Sequence, residues 1–361
     1  MQECKRVGIH GIGIYLPGSV RKNDWWPQSI VETWAGKSGA SLFRSAGDSG
    51  EPIAEGVSRV LEGMAEVAAD PFKGAVERRA MPDGMVASDM EAAAAKDALS
   101  RAGIDPGEVG MLLTNSQLPD FLSVPTAPAV HRKLGLPERC LSMATDAACN
   151  SFLTQLAIAE PMICSGQVRY ALLVQSSGFL HLARPEDQLS ASFGDAATAV
   201  VLAPAGAGRG ILGRAHRTDG SLYNALVTGC PGARWYSGQQ PVLYLNDVKS
   251  ARRMLLSVAD RGKQVVGEAL AEAGCDAEDV RFYASHQATR WFRRVTQEHI
   301  GLVNARYVDT FPWTGSLGAA NIPMVLGTGE REGLLKAGDL VATYTGGSGI
   351  TWSSVVLRWG T

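Results

Sequence analysis

The sequence has 361 residues, 45% of them hydrophobic and 19% charged, with 34 Lys and Arg against 36 Asp and Glu for a formal net charge of -2. That length suits roughly two domains, or two coupled halves of about 150 residues each, and the composition excludes a disordered chain or a disulfide-stapled scaffold. The balanced charge offers nucleic acid no general attraction, and no apolar run approaches the ~18 residues of a membrane span, so neither is expected as a partner.

Six cysteines (Cys4, Cys140, Cys149, Cys164, Cys230, Cys275) are scattered without CxxC or CxxC…HxxxH spacing. No metal site is expected, and a reduced, cytoplasmic setting fits. Met1 to Arg6 leads straight into a strand-like run and lacks a signal-peptide apolar region. Residues 26–73 form the least regular stretch, with Gly/Ser clusters at 36–40 and 46–50 and one helix expected from about Glu55 to Ala69. An insertion of that length reads as a lid or a partner surface rather than core.

The rest of the chain reads as a duplication. ALSRAGIDPGEV (98–109) and ALAEAGCDAEDV (269–280) match at six of twelve positions, and each places an Ala/Leu helix before a Gly cap, Gly103 or Gly274. Apolar strands follow at 111–113 and 282–284. Then HRKLGLPERC (131–140) leads to TDAACNSF (145–152), as EHIGLVNARY (298–307) leads to TGSLGAAN (314–321). Each half closes on a buried-looking strand running into small residues, SGQVRYALLVQSSG (165–178) and AGDLVATYTGGSG (337–349). Four matching elements in one order argue for halves at 1–203 and 204–361, joined by the turn-rich 204–210. Strands alternating with helices predict an α/β fold with mainly parallel sheets. Pro161 is expected to end or kink its helix before Met162, and strand 170–174 fits a buried sheet edge.

In such a fold, ligands sit where the two halves meet. Cys149 lies just before a helical apolar pattern (Phe152, Leu153, Leu156, Ile158), where the positive end of the helix dipole lowers a thiol's pKa. A buried core cysteine is the alternative. Asp146 would raise that pKa and receives no role. His286 follows the second-half strand, a context that His10, His131, His181, His216 and His299 lack; it fits proton transfer or hydrogen bonding, and equally a structural histidine. Together the pair points to a cysteine-nucleophile enzyme. Thr345-Gly346-Gly347-Ser348-Gly349 fits either backbone donors for an oxyanion or a simple turn. No Walker sequence is present, and Gly11-Ile12-Gly13 lacks the third glycine of a dinucleotide fold.

The segment AACNSF around Cys149, Phe193-Gly194-Asp195-Ala196-Ala197, His286-Gln287-Ala288 and GGSGITW (346–352) resemble the ketoacyl-ACP synthase III family of the thiolase superfamily, from about Val7 to Trp359 apart from 26–73. The resemblance implies a thiolase fold, a five-layered αβαβα sandwich of two duplicated halves, in a homodimer. It implies a Cys149 nucleophile that takes an acyl group from a thioester, with His286 and the Cys149 and Ser348 backbone N–H groups (the oxyanion hole) around the reacting carbonyl. It places Thr289, Asn321 and Gly347 at the substrate and implies no bound cofactor, acyl-ACP or acyl-CoA being the substrate.

Three departures matter. The family's third catalytic residue is usually the Asn of G-N-T-S-A, and the matching Gly315-Ser316-Leu317-Gly318-Ala319 puts Ser316 there, with Asn321 five residues on. Thr289 replaces the Asn of His-Gln-Ala-Asn. The 26–73 insertion replaces the segment that holds the CoA adenine in the family, favouring a carrier protein, for which Arg290, Arg293 and Arg294 offer a basic patch or merely a solvated helix face. With Asn-Asp-Trp-Trp-Pro at 23–27, the pattern resembles a secondary-metabolism branch, within polyketide or fatty acid chemistry, that transfers acyl groups to small-molecule hydroxyls or amines. The expected activity is such a transfer through Cys149, with His286 as base; the alternative is decarboxylative Claisen condensation with a malonyl thioester. A non-catalytic subunit and a cysteine hydrolase are the remaining options.

Overall fold

The computed structural model describes residues 6–36 and 54–361. Strand β1 (Val7–Tyr15) is followed by a ribbon of β2 (Ser19–Lys22) and β3 (Glu77–Ala80), then by β4 (Val109–Ser116), β5 (Leu141–Ala144), β6 (Tyr170–Gly178) and β7 (Asp195–Pro204). The second half supplies β8 (Gly210–Thr218), a small pair of β9 (Leu226–Gly229) and β10 (Val242–Leu245), then β11 (Phe282–Ser285), β12 (Leu340–Gly347) and β13 (Thr351–Arg358). The helices among the described residues are α1 (Gln28–Gly36), α2 (Glu55–Glu66), α3 (Ala87–Ala102), α4 (Ala127–Leu134), α5 (Ser151–Cys164), α6 (Val248–Leu256), α7 (Val258–Ala273), α8 (Phe292–Ile300), α9 (Phe311–Thr314) and α10 (Asn321–Arg331).

Two sheets carry the fold, ordered β1-β7-β6-β4-β5 and β11-β12-β13-β8. Helices α5 and α10 lie between them, and α5 buries Phe152, Leu153, Leu156 and Ile163 in a core shared with Val325 of α10, Leu173 of β6 and Val341 of β12. Helices α3 and α4 cover the outer face of the first sheet, and α7 and α8 that of the second. This is the five-layered thiolase sandwich. The repeated motif does the same work twice: a side chain at Gly11 would strike the Ala98 carbonyl, and one at Gly213 that of Ala269, so each half needs a bare strand under its Ala/Leu helix. Each of those helices ends at a left-handed glycine, Gly103 (φ 65°) and Gly274 (φ 64°).

Four expectations change. The sheets are mixed rather than mainly parallel: among the described residues only the strands β4–β5, β4–β6 and β11–β12 pair in parallel, since β7 follows β6 and β13 follows β12 without an α-helical crossover, and β1 and β8 also pair antiparallel. Strand β6 sits between β7 and β4, and the free edge belongs to β5, whose Leu141 and Met143 are exposed. Helix α5 runs through Pro161 to Cys164; the buried face of Leu156, Ala159 and Ile163 outweighs one lost hydrogen bond near the helix end. The described part of 26–73 holds core of its own: Trp26 and Trp34 are buried with Phe72, and their indole N–H groups donate to Ser190 Oγ (3.0 Å) and the Glu186 carbonyl (2.9 Å). Arg78, fully buried, lies over the Trp26 ring at 4.7 Å and donates to Asn23 Oδ1 (2.7 Å). Helix α2 ends at Glu66, three residues short of the expected Ala69, and residues 37–53 lie outside the described part.

Glu91 on α3 is fully buried, with one carboxylate oxygen accepting from Ser176 Oγ (2.7 Å) and the other unpartnered. Burial pushes its pKa up to about 7, against hydrogen bonds from Ser176 and Thr126. The folded state therefore keeps a proton that an unfolded Glu has lost, and the associated stability is complete below the unfolded pKa of 4.5 and is lost as pH rises through about 7. The total is on the order of 3 kcal/mol. Thermal unfolding at pH 5 and pH 8 should show a smaller drop for Glu91→Gln than for the native chain; equal drops would contradict the assignment.

Candidate active site

Two consecutive residues of β12 bring the chemistry together. The Tyr344 carbonyl accepts the His286 N–H (2.8 Å), and Thr345 Oγ1 donates to the Cys149 carbonyl (3.3 Å). The turn bearing the thiol and the strand end bearing the imidazole, from opposite halves, are thus fastened to one strand.

Cys149 lies in a 3-10 turn, Ala148–Asn150, that opens α5. Ala148 is left-handed (φ 49°), which costs a non-glycine residue about 1–2 kcal/mol. Its neighbours impose that geometry: the Ala148 N–H donates to Asp146 Oδ1 (2.8 Å), Ser151 Oγ donates to the Ala148 carbonyl (2.8 Å), and Asn150 Nδ2 donates to Ser353 Oγ (2.7 Å) and Thr351 Oγ1 (2.9 Å). Burial pushes the thiol's pKa up to about 12 despite the Cys149 and Ser348 backbone N–H groups that face the sulfur, and the Asp146 charge adds to the rise. The expected depression by the helix terminus is therefore overturned, because desolvation outweighs two amides. Those same two amides are the pair expected to form the oxyanion hole.

Gly347 closes the other side of the turn. A Cβ there would lie 2.6 Å from the Ala147 carbonyl oxygen and 3.0 Å from the Asn150 nitrogen, so any side chain must displace the turn that holds the thiol. Gly347→Ala is expected to lower kcat/KM about 10²-fold, the scale of an ångström's misplacement, and to lower thermal stability as well, since the clash is with backbone. Activity within a factor of about two of the native chain would show that the turn tolerates the shift.

His286 is 4% exposed. Its neighbour Gln287 fixes the strand end by donating to the Val308 carbonyl (2.6 Å) and accepting the Thr310 and Phe311 N–H groups (2.8 and 3.1 Å). The ring meets Phe292 edge to face at 5.7 Å. Burial lowers the imidazole's pKa to about 4, against a hydrogen bond to the Gly318 carbonyl. The resting pair is therefore a neutral thiol and a neutral imidazole.

Asn321 and Ser316 both reach this spot. Asn321, the first residue of α10 and fully buried, sets Nδ2 2.8 Å from His286 Nδ1 and 3.4 Å from Ser316 Oγ. Ser316 is pinned by its N–H to the Ser192 carbonyl (2.8 Å) and by its carbonyl to the Gly194 N–H (3.2 Å). Thr289 Oγ1 is buried without a hydrogen-bond partner. Asp195 is structural: it accepts the Met81 and Leu180 N–H groups (2.9 and 3.1 Å).

The three arginines fare differently from a free basic patch. Arg293 is largely buried and spends both arms on Asp309 (2.8 Å each), while Arg294 pairs with Glu66 (2.6 Å) and Glu298 (3.2 Å). Arg290 is exposed. They line a cleft of about 480 Å³ together with Glu66, Asp70 and Asp309, so acidic groups offset the basic ones that a carrier protein would meet. Sequence reasoning missed Tyr344; Thr345 and Gln287 stood in the quoted motifs, but the bonds that they make were not foreseen.

The family model of the 3-oxoacyl-[acyl-carrier-protein] synthase III C-terminal part matches residues 270–359, that of 3-oxoacyl-[acyl-carrier-protein] synthase III matches 143–220, and that of the thiolase N-terminal domain matches 73–176. A beta-ketoacyl-[acyl-carrier-protein] synthase III of Rhizorhabdus wittichii is 30% identical over 280 residues, 77% of this chain and 85% of that protein. One from Neisseria meningitidis is 32% identical over 280 residues, covering 75% and 84%. Among solved structures, 3-oxoacyl-(acyl carrier protein) synthase III from Pseudomonas aeruginosa PAO1 superposes with a TM-score of 0.77 at 26% identity over 99% of each chain. OleA of Xanthomonas campestris, at 20% identity and a TM-score of 0.76 over 99% of each chain, shares the fold.

Proposed function

The chain belongs to the ketoacyl-ACP synthase III family of acyltransferases, and from that premise we propose that it joins an acyl group, carried on Cys149, to a malonyl thioester by decarboxylative condensation. The observation that carries the reading is the Cys149 sulfur faced by two backbone N–H groups, its own and that of Ser348.

In the first step the sulfur attacks the carbonyl of an acyl-ACP or acyl-CoA thioester. A carbon–sulfur bond forms, the two amides receive the charge on the carbonyl oxygen, and the departing thiolate takes the Cys149 proton. In the second step the malonyl thioester loses carbon dioxide, its enolate carbon attacks the acyl carbon, and the Cys149 thiolate leaves and takes one proton from solvent. His286 suits this step as a hydrogen-bond donor to the thioester carbonyl. An imidazole whose pKa lies near 4 is a poor base for a hydroxyl or amine, since general bases work best near the operating pH. A neutral imidazole that donates a hydrogen bond supports condensation over the transfer to a hydroxyl or amine expected from the sequence.

Transfer to a small-molecule acceptor remains the second reading because of Ser316, whose short side chain stands where the family carries Asn. The free edge of β5, with Leu141 42% and Met143 38% exposed, suits a homodimer in which two copies pair edge to edge. The test of function is loading of the enzyme with short acyl-CoA and acyl-ACP donors, intact-mass analysis, then addition of malonyl-ACP. A β-ketoacyl product supports condensation. An ester or amide formed with an added alcohol or amine, and no β-ketoacyl product, would replace it with transfer.

A further inference from the structure

We propose that Asn321 is a positioning residue that fixes His286 in its Nε2–H tautomer, so that the imidazole meets a substrate carbonyl as a hydrogen-bond donor. The geometry stands on the resting protein alone; its consequence for the reaction rests on the acyl-enzyme reading above.

The Leu317 N–H donates to Asn321 Oδ1 at 3.2 Å, which places Nδ2 on the other side, 2.8 Å from His286 Nδ1 and 3.4 Å from Ser316 Oγ. An amide NH₂ only donates, so Nδ1 must be the accepting nitrogen and a neutral ring then carries its proton on Nε2. The competing arrangement puts the ring proton on Nδ1. It would leave Nδ1–H and Nδ2 donor to donor at 2.8 Å or, with the amide turned over, set Nδ2 against the Leu317 N–H at 3.2 Å. Asn321 is fully buried, His286 and Ser316 nearly so, so no solvent is at hand to take up the mispaired donors.

Asn321 is not the Asn of the family motif, whose position holds Ser316. It approaches the ring at Nδ1, behind the face that a substrate would use. An Asp there would accept from Nδ1–H and leave Nε2 as a base; an Asn gives the reverse. The tautomer therefore bears on the second substrate: a decarboxylating thioester supplies its own carbon nucleophile and needs donors, whereas a hydroxyl or amine needs a base.

The test is imidazole ¹⁵N NMR of the full-length enzyme labelled at histidine, with the His286 signals identified by their loss in His286→Gln. The expected native spectrum shows a protonated Nε2 and a hydrogen-bonded, unprotonated Nδ1. Asn321→Asp should move the proton to Nδ1 and lower carbon dioxide release from malonyl-ACP by acyl-loaded enzyme about 10²-fold. A native Nδ1–H, or an unchanged tautomer in folded Asn321→Asp, would overturn the proposal. If that variant fails to fold, the native spectrum still decides. Absence of acyl-Cys149 with every donor would sink the functional reading while leaving the tautomer to be read by itself.

Discussion

Cys149→Ala is expected to give no acyl-enzyme by intact mass and to lower turnover by about 10⁴-fold or more, the scale seen when a covalent nucleophile is removed. The native thiol carries a further signature. Because burial holds its pKa near 12, the thiolate is a small minority at neutral pH and its population grows about tenfold for each pH unit. Alkylation of Cys149 by iodoacetamide, followed by peptide mapping to separate it from the other cysteines, should therefore accelerate steadily from pH 6 to pH 9 without a plateau. A plateau near neutrality would mean that the resting site holds a thiolate–imidazolium pair, and the neutral pair described here would be wrong.

His286→Ala is the second large effect. If the imidazole supplies one of the hydrogen bonds to the developing enolate, its loss should cost about 10²–10³-fold in kcat for malonyl decarboxylation, as removal of an oxyanion-hole donor does elsewhere. His286→Gln keeps a donor and should retain more activity than the alanine variant. Equal losses in both would argue that proton transfer, which Gln cannot perform, is the role of His286. Steady-state kinetics with acyl-loaded enzyme and varied malonyl-ACP separates kcat from KM in each case.

Much of the architecture could be read before any coordinates, because duplication leaves its mark twice. The Ala98 and Ala269 carbonyls each press against a bare strand glycine, and each Ala/Leu helix ends at a left-handed glycine, so the same small residues recur for the same steric reasons. Cys149 and His286 were legible from their places at a helix start and a strand end. The bonds that join them were not: Tyr344 and Thr345 act through β12, some sixty residues from His286 and two hundred from Cys149. Pro161 does not end its helix, because helix burial in the central layer outweighs a local break. The thiol's pKa misled because a sequence shows the helix terminus and hides the burial that opposes it. Asn321 lay outside the motif position, and only the fold shows that it meets the His286 ring.

The arginines teach the same lesson about charge. Three Arg on one helical stretch suggested a docking face, yet Arg293 and Arg294 are committed to Asp309, Glu66 and Glu298, and Arg290 alone stands exposed. The exposed Arg294 pairs add little stability, but both arginines consume charge that an acidic partner would otherwise meet.

Release of carbon dioxide from carboxyl-labelled malonyl-ACP, by enzyme first loaded with an acyl thioester, tests the account most directly. The account predicts release that requires Cys149, vanishes in Cys149→Ala and yields a β-ketoacyl product. Acylated enzyme that releases no carbon dioxide, yet passes its acyl group to a hydroxyl or amine, would contradict it.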